Sequence, residues 1–236
     1  MGAEDCLVES IENLAADRRG STTRRAGYRA DVSLVRPVLA VLGGYVLGTV
    51  PTADLVARRA AGGAVDLRSV GSGNPGGANA LAVLGTQAGT VVMVGDIGKG
   101  AVASALGAAV AGGPGAHLAG TAAVVGHCFP VWNGFRGGKG VAASVGQCLV
   151  TFPAYFPIDV AVAAVTVSNR RWRQRAFVAT AVSSGCWVLG GIVWWRRGWR
   201  NLWGPRPSAG LPLAAAASSA VIAHRFWSAT RPGHGR

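Results

Sequence analysis

Charge is scarce in this chain, and acidic charge scarcest of all. Only 14% of the 236 residues are charged, against about 25% in a typical soluble domain. That deficit excludes a surface that meets water all round. Cysteine is sparse too. Cys6, Cys128, Cys148 and Cys186 form no CxxC pair, so neither a zinc site nor a disulfide framework is indicated, and the thiols read as small buried hydrophobes. No Ser–His–Asp or Cys–His constellation stands at a spacing that would support a covalent intermediate. The first 33 residues contain no apolar run of the kind a signal peptide needs. A basic stripe is missing as well. The net charge of +13 is carried by short clusters between apolar stretches. This argues against nucleic acid and for cytoplasmic loops that face anionic lipid and small anions.

What remains is apolar and small. Half the residues are hydrophobic and 36 are glycine, which suits helices that approach closely in a bilayer. A spanning helix needs about 20 mainly apolar residues. Seven segments approach that standard: Val38–Ala57, bent by Pro51; Gly89–Gly112; Ala116–Phe129; Gly140–Phe152; Ala154–Val167; Phe177–Trp195; and Leu211–Phe226. Several are short, so tilted or half-length helices are expected. The fold class is therefore all-α, a polytopic transmembrane bundle of about seven helices, with five as the lower count. The expected organisation is a polar tail at 1–33, largely disordered with one short helix around Cys6–Ala16, then a membrane domain at 34–228 and a basic C-terminal tail at 229–236. Placing the N-terminus outside makes 58–88, 130–139 and 169–175 inner loops. Arg196, Arg197, Arg200 and Arg206 then fall on the outside, against the charge rule.

Four polar segments interrupt the apolar pattern. Val70-Gly71-Ser72-Gly73-Asn74-Pro75-Gly76-Gly77-Ala78-Asn79 contains a formal GxGxxG, but lies between apolar helices rather than in a βαβ unit. It reads either as a plain turn or as an anion site, with backbone N–H groups helped by Ser72, Asn74 and Asn79. Gly126-His127-Cys128-Phe129-Pro130 precedes Phe135-Arg136-Gly137-Gly138-Lys139-Gly140-Val141. Asn133 and Gly140 break a Walker A pattern there. Even so, a lysine among glycines ahead of a helix favours a phosphate. Asp96-Ile97-Gly98-Lys99-Gly100 sits inside an apolar helix, with its charges on one face. They read equally as a functional site or as a packing ion pair. His224 and Arg225 near the end of the last segment fit a substrate contact or an interfacial anchor.

In order and spacing, these segments resemble the PlsY family of bacterial acyl-phosphate:glycerol-3-phosphate acyltransferases. Gly48-Thr49-Val50-Pro51-Thr52 is similar to the family's GSIPT segment, and 70–79 to its GSGN-x-GA-x-N motif. Asp96–Gly100 is similar to its D-x-x-KG, and Gly126–Pro130 with Gly137–Ala142 to its GHxFP and GGKGVAT block. The resemblance implies a seven-helix fold with an outside N-terminus and cytoplasmic motif loops. It implies transfer of a fatty acyl group from acyl phosphate to the 1-hydroxyl of glycerol 3-phosphate, giving lysophosphatidic acid and phosphate. No metal and no cofactor take part in that chemistry. Three positions depart from the family pattern. Ala82 stands where an arginine is usual, Trp227 where an asparagine is usual, and an arginine-rich 170–175 replaces a serine-bearing loop.

The expected catalytic residues are His127, Lys139 and Asn74. The expected phosphate contacts are Ser72, Gly73, Asn79, Lys99, Gly137, Gly138, His224 and Arg225. The general base stays open between His127 and a substrate phosphate oxygen. The expected partners are acyl phosphate, glycerol 3-phosphate and the bilayer of the cell membrane, and the protein is expected to be a monomer. Two other readings fit the same glycine–lysine loops: a transporter or binding protein for a phosphorylated anion, and a catalytically silent family member.

Overall fold

A computed structural model describes residues 34–169, 171–172 and 174–230. The short helix expected around Cys6–Ala16, the rest of the N-terminal tail and residues 231–236 lie outside the described residues. Eight α-helices and one short 3-10 turn make up the described fold, and no strand occurs in it. They are α1 (34–48), α2 (Thr52–Ala61), α3 (Gly77–Leu84), α4 (Thr86–Cys128), α5 (Val141–Thr151), α6 (Phe156–Ser168), α7 (Arg175–Arg197) and α8 (Gly210–Thr230). Three helical stretches are long and apolar enough to cross a membrane: Leu34–Ala61, Thr86–Asn133 and Arg175–Arg197. Helices α5 and α6 are apolar but have only 11 and 13 residues. At about 1.5 Å per residue neither spans a hydrocarbon core of about 30 Å alone.

Helix α4 is a hairpin. Its helical geometry fails at Ala111 and Gly112, where Gly112 takes a φ of 64°. The arms are antiparallel and almost in backbone contact. A Cβ added to Gly107 would lie 2.3 Å from the Gly115 carbonyl oxygen, and one on Gly120 would lie 2.4 Å from Ser104 Oγ. The reversal thus falls at the end of the expected segment Gly89–Gly112, at a glycine whose positive φ a residue with a side chain rarely adopts. Small residues also seat α1 on the second arm. A Cβ on Gly44 would meet the Ala119 backbone at 2.3 Å, and one on Gly48 the Ala123 backbone at 2.2 Å. The two contacts advance in the same direction, so the helices run parallel.

Two expectations need correction. Pro51 does not bend one continuous helix. The chain leaves the helix at 49–51 and restarts at Thr52. The stretch expected to be a loop at 58–88 holds helix α3, eight residues of small apolar character that pack Ala80 against Leu67, Ala53 and Val92. With α1 and α2 taken together and the hairpin counted as two, the seven expected apolar segments are all helical.

Deep in the bundle, α4, α5 and α8 share a polar knot. Ser218 Oγ donates to Gln147 Oε1 at 2.7 Å, and Gln147 Nε2 donates to Thr121 Oγ1 at 3.2 Å. In hydrocarbon an unpaired amide is costly, so these bonds fix the axial register of three helices. The helix directions gather 49–76, 129–140 and the C-terminal end of α8 at one end of the bundle. The α4 reversal, 152–155 and 198–209 lie at the other.

Candidate functional site

At the crowded end, the α4 hairpin brings together residues far apart in sequence. Asp96 on the first arm is 1% exposed and receives three groups on one oxygen. Lys99 Nζ lies 2.9 Å from its Oδ1, His127 Nδ1 on the second arm lies 3.6 Å away, and Thr52 Oγ1 donates to it. Lys99 Nζ also donates to the Val50 carbonyl at 3.0 Å. The expected Asp96–Lys99 pair is therefore present, but the lysine is tied to the break between α1 and α2. The other ring nitrogen of His127 faces Gly138, since a Cβ there would sit 2.2 Å from Nε2. Only glycine leaves that side of the ring open.

The loop at 70–79 is organised by one side chain. Asn79 Nδ2 donates to the carbonyls of Leu67 at 2.9 Å and Val70 at 3.0 Å, while its Oδ1 accepts the Ser72 N–H at 2.8 Å. Both amide protons are engaged, so Asn79 has no donor left for a phosphate and instead shapes the loop. Gly71 takes a φ of 60°, and a Cβ on it would collide with Asn79 Oδ1 at 2.2 Å. Gly73 has a φ of 68° and is a turn residue that lines neither of the cavities described below. Ser72 and Asn74 do reach a cavity.

The loop at 134–140 departs from expectation in its backbone. The N–H of Gly137 donates to the Cys128 carbonyl and that of Gly138 to the His127 carbonyl, both at 3.1 Å. These two amides finish the end of α4 and are not free to cradle an anion. Their own carbonyls accept from Arg225: NH2 to Gly137 at 2.6 Å and Nε to Gly138 at 3.1 Å. Arg225, expected as a substrate contact, is thus the strut between α8 and the loop. His224 is exposed, lies 6.0 Å from the Phe129 ring and lines neither cavity. Lys139 has no carboxylate partner among the described residues, and its ammonium lies 4.4 Å from the centre of the Phe226 ring. Burial, and after it the neighbouring Arg225, hold that ammonium below its ordinary pKa. Gly140, with a φ of 87°, caps the start of α5 beside it.

Two cavities meet at His127. The larger, about 320 Å³, is lined at its polar end by Ser72, Asn74, Asp96, His127 and Lys139, and along its length by Met93, Ile97, Val145, Ala176 and Phe226. That size and mixture suit a ligand with a polar head and an apolar body. The smaller is a polar cleft of about 20 Å³ on the other side of the histidine, bounded by Thr52, Asp54, Arg68, Lys99 and Asn133. Sequence reasoning missed this cleft's frame. Arg68 forms a two-pronged pair with Asp54, at 2.7 and 3.1 Å, and donates to the Arg136 carbonyl at 2.9 Å. Asn133 Nδ2 completes it with 3.0 Å to Asp54 Oδ2. The available signal was the placement of Asp54 and Asp66, two of the few acids, near an arginine. The departures at Ala82 and Trp227 are both exposed and line neither cavity. Among the described residues no group of three His, Cys, Asp or Glu is placed to hold a metal ion.

Comparison with known proteins returns one consistent answer. Residues 38–230 match the family model described as glycerol-3-phosphate acyltransferase. A relative of that name from Exiguobacterium sibiricum is 50% identical over 113 residues, which is 48% of this chain and 54% of the relative. One from Rubrobacter xylanophilus is 44% identical over 159 residues, 65% of this chain and 77% of the relative. The chain thus spans about half the length of the first relative and three quarters of the second. Among solved structures, PlsY, an integral membrane glycerol 3-phosphate acyltransferase in its glycerol 3-phosphate form, matches with a TM-score of 0.66 at 25% identity. That match covers 81% of this chain and 88% of PlsY.

Proposed function

Since this chain belongs to the glycerol-3-phosphate acyltransferase family, we propose that it transfers a fatty acyl group from acyl phosphate to the 1-hydroxyl of glycerol 3-phosphate. The products are lysophosphatidic acid and inorganic phosphate. The observation that carries this reading is the position of His127 between an amphipathic cavity and a polar cleft, with Asp96 behind its Nδ1. The acyl phosphate occupies the larger cavity, its phosphate beside Lys139 and the start of α5, its chain along Met93, Ile97 and Phe226. The glycerol hydroxyl approaches from the cleft, whose roughly 20 Å³ admits about one water-sized group, so the rest of the acceptor lies at its mouth.

The donor is already activated, because phosphate is a good leaving group. The protein then has to juxtapose the substrates and stabilise charge on the leaving phosphate. His127 takes the hydroxyl proton as the new ester bond forms, and Asp96 stabilises the resulting imidazolium. Lys139 carries the leaving phosphate. Among the described residues its charge is not offset by a carboxylate, unlike that of Lys99 or Arg68. The protein acts as a multi-pass monomer of the cell membrane, with the site end in the cytoplasm, where a water-soluble phosphorylated acceptor is available. Phosphate release by purified protein in lipid, measured with and without glycerol 3-phosphate, tests this reading. Release should require the acceptor and match lysophosphatidic acid mole for mole. Binding of either substrate with no release would favour a transporter or a silent homologue.

A further inference from the structure

The opposite end of the bundle carries a basic surface that the reaction does not use. Arg196 and Arg197 form the last turn of α7, Arg200 and Arg206 lie in the connection to α8, and all four are exposed. None has a carboxylate partner among the described residues. The surface is a fixed platform. Asn201 is 4% exposed and donates to the carbonyls of Thr151 at 2.9 Å and Pro205 at 2.8 Å. Trp194 and Trp199 meet edge to face at 4.8 Å, and the Trp203 indole N–H donates to the Leu149 carbonyl at 3.3 Å. Guanidinium groups held on such a frame lose little freedom when an anion binds.

The acids of the chain are segregated in a complementary way. Asp54, Asp66, Asp96 and Asp159 are the only acids after residue 33, and each is engaged. Asp54 and Asp66 pair with Arg68, Asp96 is in the site, and Asp159 accepts from Ser183. The remainder precede α1. Five of them, Glu4, Asp5, Glu9, Glu12 and Asp17, fall in the first 17 residues with no Lys or Arg among them. The start of α1 and the platform are at the same end of the bundle. Helix α1 runs parallel to the second arm of α4 and ends at the site, so its first residue is at the far end. The platform's Pro205 packs on the α4 reversal, where a Cβ on Gly113 would lie 3.3 Å from it. From the start of α1 across the hairpin to the platform is about three helix diameters, roughly 30 Å. The sixteen residues from 18 to 33 can reach up to about 55 Å.

We propose that the acidic segment 4–17 docks on the basic platform formed by Arg196, Arg197, Arg200 and Arg206, on the face opposite the catalytic loops. Tethering makes the encounter intramolecular, at an effective concentration in the millimolar range. Docking sets five carboxylates against four arginines locally, while Arg18, Arg19, Arg24, Arg25 and Arg29 follow in the tether, so the outer end as a whole stays basic. An anionic lipid headgroup is the competing occupant, and the test distinguishes the two.

Cys6 lies inside the acidic segment and provides a native handle. Full-length protein carrying Leu202→Cys, at a position 63% exposed on the platform, is placed in discs of zwitterionic lipid and mildly oxidised. The linkage between Cys6 and the introduced thiol is then measured by mass spectrometry. A high yield is expected. It should fall about fivefold or more in roughly 1 M salt, where the screening length is about 3 Å. It should fall as far when the four arginines become glutamine, or when Glu4, Glu9 and Glu12 become glutamine. Acyl transfer should be unchanged in these variants, because none of the altered residues lies at the site. Equal linkage in the parent and in both charge variants overturns the proposal. So does loss of linkage in the parent when the discs contain phosphatidylglycerol, which would make lipid the preferred occupant.

Discussion

The loop at 70–79 is tied to itself, whereas the loop at 134–140 is tied to its neighbours. In the first, a single amide, Asn79, makes three bonds to backbone within twelve residues of sequence. In the second, the backbone N–H groups close the end of α4 and the carbonyls hang on Arg225, 87 and 88 residues away. Both loops border the larger cavity. One is a local turn that keeps its shape by itself. The other keeps its shape only while α4 and α8 are docked. Glycine serves different ends in the two places: at Gly71 it allows a left-handed turn, and at Gly138 it clears space for an imidazole.

The comparison can be broken most severely where it converges, at His127. Under the proposed mechanism, replacing His127 with Gln takes away the base while keeping a polar side chain, and kcat should fall about 10²- to 10⁴-fold. Steady-state kinetics in discs would show this, and an unchanged kcat would leave a substrate phosphate oxygen as the base. Next comes Lys139→Ala. A charged hydrogen bond contributes about 1.5–3 kcal/mol, so kcat/KM should drop by roughly ten- to over a hundredfold with little change in Tm. Lys139→Arg should not restore it fully, because a planar fork replaces a compact charge in a confined space.

Arg225→Gln separates the loops. It should lower activity about tenfold and speed hydrogen exchange at 134–140, with 70–79 unchanged. It also moves the alkaline limit of activity. Arg225 helps hold the Lys139 ammonium below its ordinary pKa, so its removal lets the lysine stay charged to higher pH. The alkaline limb of kcat/KM should shift upward. Asn79→Ala is the converse experiment. It strands the Leu67 and Val70 carbonyls, costs about 1–3 kcal/mol of stability, and should loosen only the first loop. Smallest of all is the double change Ala82→Arg with Trp227→Asn. Both positions lie outside the cavities, so the KM for glycerol 3-phosphate should change less than about twofold. A larger fall would place an additional phosphate contact at the mouth.

Much of this was legible in the sequence. Apolar segments gave the membrane helices because bilayer thickness dictates their length. The Asp96–Lys99 pair followed from helical spacing. What the sequence hid was direction. A motif says that Gly137 and Gly138 are needed, but not whether their N–H groups point at a ligand or at the end of a helix. Asn79 and Arg225 were read as substrate contacts for the same reason: donors look alike until their partners are known. Helix α3 was missed because its run is too short for a membrane segment and begins among glycines. The Arg68–Asp54–Asn133 frame depends on folding across 79 residues of chain, which no local pattern records.

The α4 hairpin has a consequence in time. Asp96 and His127 are separated by only 31 residues, and the single reversal at Ala111–Gly112 is enough to bring them together. The chain is made from its N-terminus, so this acid–imidazole pair can form as the hairpin enters the bilayer, before α5 to α8 exist. The loop carrying Lys139 has to wait for Arg225, almost the last part of the described chain to be synthesised. The Asp96–His127 pair is thus in place early, and the loop that carries Lys139 is completed late. A nascent chain halted after α7 should already contain the paired Asp96 and His127, yet be unable to act on a donor until α8 arrives.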